Sequence, residues 1–138
     1  MFAEAIAKLR AQGKIEYAEL TYYGDMRYRA DGRRLRAVLD SAAARMSIPV
    51  DVYEGPAMNH SYHEMIIGHG RCFSTVLLAR KQTTLTGIGY RPDYHQTQWL
   101  ATKLALERRG RAVIAVTFPD ADAAGRRALR RFFANATI

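Results

Sequence analysis

A chain of 138 residues, 49% hydrophobic and 25% charged, can fill one core and has no length for a second, which predicts a single globular domain over residues 1–138. No stretch has the apolar length of a membrane span, and Met1-Phe2-Ala3-Glu4-Ala5 places an acid early where a secretory leader would be apolar, so a cytoplasmic protein with no membrane partner is expected. The balance of 21 Lys+Arg against 13 Asp+Glu gives +8, and lysine supplies only Lys8, Lys14, Lys81 and Lys103, so the excess is an arginine excess suited to phosphate or carboxylate partners.

Phe2, Ile6 and Leu9 fall at helical spacing and stop at Gly13, which predicts a short amphipathic helix closed by a glycine cap. Ile15, Tyr17 and Leu20-Thr21-Tyr22-Tyr23 are strand formers, and Gly24-Asp25 turns the chain after them. Beyond Asp31-Gly32, the residues Leu35, Val38, Leu39, Ala42, Ala43 and Met46 share one face of a second helix that Ser47 and Pro49 end. Ile48 to Tyr53 is a compact strand broken by Glu54-Gly55-Pro56, whereas Met58 to Ile67 fits a helical turn or a strand equally. Cys72 to Ala79 and Thr83 to Tyr90 read as strands joined through Arg80-Lys81-Gln82, an antiparallel hairpin.

Asp93 is placed to cap a helix carrying Trp99, Leu100, Leu104 and Leu106 up to Gly110. The apolar run Val113 to Phe118 reads as a central strand, and Pro119-Asp120 opens a last helix through Leu129, Phe132 and Phe133. The expected class is α/β (or α+β): a single domain with a mixed sheet of about five strands, including one antiparallel hairpin, flanked by helices.

The stretch Asn59 to Cys72 holds three of the four histidines and the only cysteine. His60-x2-His63 and His69-x2-Cys72 have the paired spacing of a zinc clip, since two intervening residues let both side chains converge on one ion. His60, His63, His69 and Cys72 are therefore candidate metal ligands, against the alternative of a polar loop whose histidines bond the backbone. Without a metal, His60, His63 and His69 with Glu64 are candidate catalytic groups for proton transfer in phosphodiester or nucleotide chemistry. Cys72 opens an apolar strand, so core packing competes there with ligation and nucleophilic attack. The cofactor stays unknown beyond a divalent metal, zinc or magnesium. His95, at a helix start beside Arg91, is a candidate anion contact or a surface cap.

Glu54-Gly55 after a strand, with Val113 to Phe118 and then Asp120-Ala121-Asp122-Ala123-Ala124-Gly125 downstream, resembles the Toprim pattern of primases, topoisomerases and small nucleases. The resemblance implies magnesium held by Glu54, Asp120 and Asp122 for phosphoryl or phosphodiester chemistry, although Pro119 precedes the aspartates, the family's usual acid after the first Glu-Gly is missing and the spacer is long. Arg91-Pro92-Asp93-Tyr94 before a helix looks like the end of a GNAT-type N-acetyltransferase, with His95-Gln96-Thr97-Gln98 where that family has glycines.

Arg27, Arg29, Arg33, Arg34 and Arg36 surround the start of the second helix, and Arg126, Arg127, Arg130 and Arg131 recur at helical spacing on the last. Arg33, Arg34, Arg126, Arg127, Arg130 and Arg131 are the candidate nucleic-acid contacts, and tyrosines such as Tyr28 and Tyr94 interleave with arginines as base-stacking candidates or ordinary loop residues. The expected function is binding of nucleic acid or another polyanion, with nuclease or nucleotide chemistry if the His/Glu stretch forms a site. The alternatives are a non-catalytic adaptor or inhibitor on an acidic protein surface and a Toprim-like magnesium enzyme.

Overall fold

Strand formers at four places in the chain build one sheet, and a computed structural model describes it through residues 2–57, 64–65, 68–82, 91 and 93–134. Among these residues the strands are β1 (Tyr17–Tyr23), β2 (Val50–Gly55), β3 (Cys72–Ala79) and β4 (Ala112–Phe118), and the helices are α1 (Phe2–Ala11), α2 (Ala30–Ala43), α3 (Tyr94–Arg108) and α4 (Ala123–Ala134). The sheet has four strands in the order β2, β1, β3, β4, and every pairing is parallel.

This corrects the expected mixed sheet of about five strands with a hairpin. β3 is flanked by β1 on one side and β4 on the other, both parallel, so it has no free edge to receive an antiparallel partner from the Thr83 to Tyr90 stretch, which itself lies outside the described residues. Arg80-Lys81 is not a hairpin loop: the Arg80 and Lys81 N–H groups donate to the Phe118 and Pro119 carbonyls at 2.8 and 3.0 Å, prolonging the β3–β4 ladder. β4 was expected at the centre of the sheet. Among the described residues it is an edge strand, and the interior strands are β1 and β3, the latter buried at all eight positions although it carries Ser74 and Thr75.

Strand alternation divides the sheet into two faces. One face carries Ala18, Leu20, Val52, Phe73, Leu77 and Phe118 and is covered by α1, α2 and α4, with Ile6, Leu35, Leu39, Leu129 and Phe133 buried against it. Phe2 locks this layer through edge contacts with Phe73 at 5.8 Å and Phe133 at 5.3 Å. The other face is covered by α3, where Leu106 packs on Cys72 and Trp99 on Val76 and Leu78.

The second face is unusual because Glu19, Thr21 and Ser74 occupy its middle and are fully buried. The helix over it has Thr102 and Leu106 as its buried positions, while Leu100 and Leu104 are exposed. Tyr23 donates its hydroxyl to Thr102 Oγ1 at 2.6 Å, and the Trp99 indole N–H donates to the Val76 carbonyl at 3.0 Å. Polar contacts thus join this layer alongside the apolar contacts of Leu106 and Trp99.

The glycine cap expected at Gly13 forms, and Gly110, where the helix was expected to end, closes α3 in the same way. Gly13 and Gly110 have φ of 65° and 66°, and the following N–H groups of Lys14 and Arg111 return to the Leu9 and Leu106 carbonyls. Asp93 stands at the start of α3 but makes no side-chain cap hydrogen bond; its carbonyl accepts the Thr97 N–H at 2.9 Å and the Thr97 hydroxyl at 3.0 Å, and its carboxylate lies 3.7 Å from the Arg91 guanidinium.

Candidate functional site

Because all four strands are parallel, their carboxyl ends share one edge, and four connections leave the sheet there. Between β1 and β3 the strand order reverses, since β1 leads to β2 on one side while β3 leads to β4 on the other. In open parallel sheets that reversal leaves a crevice outside the carboxyl ends. A cleft of about 500 Å³ lies at this edge, with Tyr22, Gly24 and Asp25 from the end of β1 and Glu54, Gly55 and Pro56 from the end of β2. Lys81 and Gln82 after β3, Asp120 and Ala121 after β4, and His95 of α3 complete the far wall, while the start of α2 contributes Arg29 to Gly32. Tyr28 stands at the mouth, 81% exposed.

The acids in the cleft have duties. Burial works against ionisation of Asp25, but its carboxylate accepts the Tyr28, Arg27 and Arg29 N–H groups, each at 2.8 Å, and its pKa is lowered overall. The chain's own anion therefore sits on the amides that lead into α2, which in many doubly wound folds hold a phosphate. Glu54 accepts the Met26 N–H at 2.6 Å and lies 3.4 Å from the Arg27 guanidinium. Asp120 accepts the Ala121 N–H at 2.7 Å and pairs with Lys81 at 3.3 Å. Burial alone lowers the pKa of His95, favouring a neutral imidazole. Burial and then the charges of Asp120, Asp25 and Glu54 raise that of Tyr22.

The Toprim-type ligand set does not fit this geometry. Glu54 ends one edge strand and Asp120 follows the other, so three inter-strand spacings, roughly 14 Å, separate their strand ends. Asp122 is the cap of α4, accepting the Gly125 N–H at 2.9 Å. Among the described residues no group of three or more His, Cys, Asp or Glu side chains is placed to hold a metal.

His60 and His63 lie outside the described residues, and Glu64 is exposed. His69 is at the opposite end of the sheet from the cleft, just before β3, where its Nε2 and the Arg71 guanidinium meet the Glu16 carboxylate at 3.1 and 2.9 Å. The seven residues of β1 put roughly 23 Å between that amino edge and the cleft. Cys72 is buried beneath α3, and burial followed by the nearby Glu19 charge pushes its thiol up to about 12. The thiol is expected to resist a disulfide reagent at pH 8 in the native protein and to react fully in denaturant. Rapid reaction without denaturant would show an accessible nucleophile instead.

The candidate nucleic-acid arginines separate into two kinds. Arg126 is buried and tied to Asp31 Oδ1 at 2.8 Å and to the Ala121 carbonyl at 2.7 Å, and it holds α4 to the start of α2. Arg33 donates to the Tyr28 carbonyl and Arg34 pairs loosely with Asp31 at 3.4 Å, both remaining exposed. Arg127, Arg130 and Arg131 are exposed and make no ion pair or side-chain hydrogen bond among the described residues.

Sequence reasoning missed Tyr22, Asp25, Arg29, Lys81 and Gln82 as cleft residues, although Glu54, Asp120 and His95 had been singled out. The signal was present in Gly24-Asp25, Gly55-Pro56 and Pro119-Asp120, each a breaker after a strand. In a wholly parallel sheet these three breaks lie on one edge; an assumed hairpin scatters them. Comparison with protein-family models, curated proteins and solved structures finds no match to the chain.

Proposed function

We propose that the chain binds nucleic acid, or a comparable polyanion, across the layer formed by α2 and α4. The observation that carries this reading is charge concentration. α4 has four arginines and no acid, and α2 extended to Arg45 has four arginines against Asp31 and Asp40, so two helices hold six of the eight excess positive charges. They pack side by side. A shallow groove of about 410 Å³ runs along them, lined by Ala37, Val38, Ser41, Ala134 and the cations Arg45 and Arg130. Arg34, Arg36 and Arg126 are paired with Asp31 or Asp40, whereas the guanidinium groups of Arg127, Arg130 and Arg131 have no acid partner among the described residues and are suited to track phosphates spaced along a strand.

The test is an anisotropy titration with single- and double-stranded DNA and RNA at several salt concentrations. Replacing Arg127, Arg130 and Arg131 together with glutamine is expected to weaken binding across sequences. If each contacts one phosphate, the log–log salt slope falls by roughly two to three. All three are exposed, so folding should be unaffected, which thermal unfolding checks. Failure to bind any nucleic acid at low salt would overturn the reading and favour an acidic protein surface as the partner.

A further inference from the structure

We infer that the cleft at the carboxyl edge of the sheet is a second binding site, for a planar amino-bearing ring of the nucleobase class, and that it takes the nucleoside in preference to the nucleotide. A volume of about 500 Å³ at the reversal of strand order is the size and place expected of a small-molecule pocket. Its walls combine flat apolar surface from the Tyr22 ring and Pro56 with the acceptors Asp25, Glu54 and Asp120. At the mouth, the Tyr28 ring is 81% exposed, and the Asp25 carboxylate fixes the backbone on both sides of it. A large aromatic ring exposed beside a backbone held by these bonds, with no ring stacked on it among the described residues, is a surface on which a planar ligand can stack.

The polarity of the walls selects the ligand. A carboxylate accepts from several donors at once, so Glu54 and Asp120 keep acceptor capacity after their backbone contacts, and the exocyclic amino group of adenine or cytosine is a matching donor. Phosphate is disfavoured on two counts. Four carboxylates, Asp25, Asp31, Glu54 and Asp120, face Arg29 and Lys81 as the only lysine or arginine in the lining, and Lys81 is already paired with Asp120. The amides leading into α2, the usual phosphate seat of such folds, are filled by Asp25. The lining of the cleft thus has an acid excess where α2 and α4 have an arginine excess, with Arg27 reaching Glu54 and Arg126 reaching Asp31 from outside the lining.

The full-length chain is titrated with adenosine, cytidine, uridine and adenosine 5′-monophosphate by ligand-observed NMR and equilibrium dialysis. Saturable binding of adenosine or cytidine is expected, weakened about tenfold for uridine, which lacks the amino donor, and weakened again by the 5′-phosphate. Tyr28→Ala should cost at least about tenfold in affinity without altering the thermal midpoint, because the ring is exposed. Glu54→Gln should remove the preference for cytidine over uridine. The triple glutamine variant at Arg127, Arg130 and Arg131 should leave adenosine binding unchanged, so this site and the polyanion surface fail or stand separately.

The ring can come from a free nucleoside or from an unstacked base of a strand held on α2–α4. Oligoadenylate binding tighter than adenosine in the wild type, and falling to the adenosine level in the triple variant, identifies the strand; equal affinities identify the free nucleoside. Absence of saturable nucleoside binding at millimolar concentration, tighter binding of the monophosphate than of adenosine, or an unchanged affinity in Tyr28→Ala would each overturn the inference.

Discussion

Glu19→Gln is expected to stabilise the protein at pH 8 by up to about 3 kcal/mol and to remove most of the fall in stability between about pH 4.5 and 7. Glu19 lies in the middle of β1 with no solvent exposure, its neighbours across the sheet being Asp51 on β2 and Ser74 on β3. Burial raises its pKa from 4.5 to about 7. The bond from Thr21 and the nearness of Ser74 oppose the shift, and Asp51 adds to it. Thr21 donates its hydroxyl to Oε2, but Oε1 has no partner and Ser74 Oγ closes no hydrogen bond of good geometry. A charged carboxylate here is poorly compensated.

The folded protein therefore holds a proton that the unfolded chain has already released between about 4.5 and 7. Stability is full below the unfolded value, is lost as pH rises through the folded value, and is flat with respect to this group above it. Denaturant unfolding at pH 5, 6, 7 and 8 measures the effect. A glutamine variant that keeps the wild-type slope, or is less stable at pH 8, would show that the native fold compensates the charge in some other way.

How much was legible in the sequence follows from the range of the interactions concerned. The helical face of Leu35, Val38, Leu39 and Ala42, the cap at Gly13 and the helix end at Gly110 depend on residues within two turns of one another, and they form as predicted. Strand order depends on contacts far apart in the chain, and local signals misled there: a polar Arg80-Lys81-Gln82 after an apolar strand resembles a hairpin turn, yet its backbone prolongs the pairing with β4. The same error hid the cleft, because only the parallel order brings the breaks after β1, β2 and β4 to one edge. His69 and Cys72 were grouped by adjacency, but the start of β3 divides them, with His69 against Glu16 at the surface and Cys72 under Leu106. Arg126 looked like its neighbours Arg127 and Arg130, and only packing of α4 against α2 turns it inward to Asp31.

Gly125→Ala tests the junction that sets α4 in place, and it is expected to lower stability by about 1–3 kcal/mol, a fall of roughly 4–10 °C in the thermal midpoint. Helix propensity alone predicts the opposite, since alanine is favoured over glycine inside a helix by about 1 kcal/mol. Sterics should win, because a Cβ on Gly125 would overlap the Asp120 carbonyl oxygen and stand 2.8 Å from the carbonyl carbon and 3.1 Å from the Phe118 ring. Neither neighbour yields easily: Phe118 is buried in the core, and Asp120 is held by its own bond to the Ala121 N–H and by Lys81. The helix start would have to move outward, straining the Asp122 cap on the Gly125 N–H and the Arg126 bond to Asp31 together. Gly68→Ala is the control, for apart from its chain neighbours no atom of the described residues lies within 4 Å of the Cβ it would add, and its midpoint should stay within about 2 °C of wild type. Equal midpoints for Gly125→Ala and Gly68→Ala would mean that the loop from Pro119 to Asp122 can retreat from α4 at little cost, and the close packing at this junction would then not be what positions the helix.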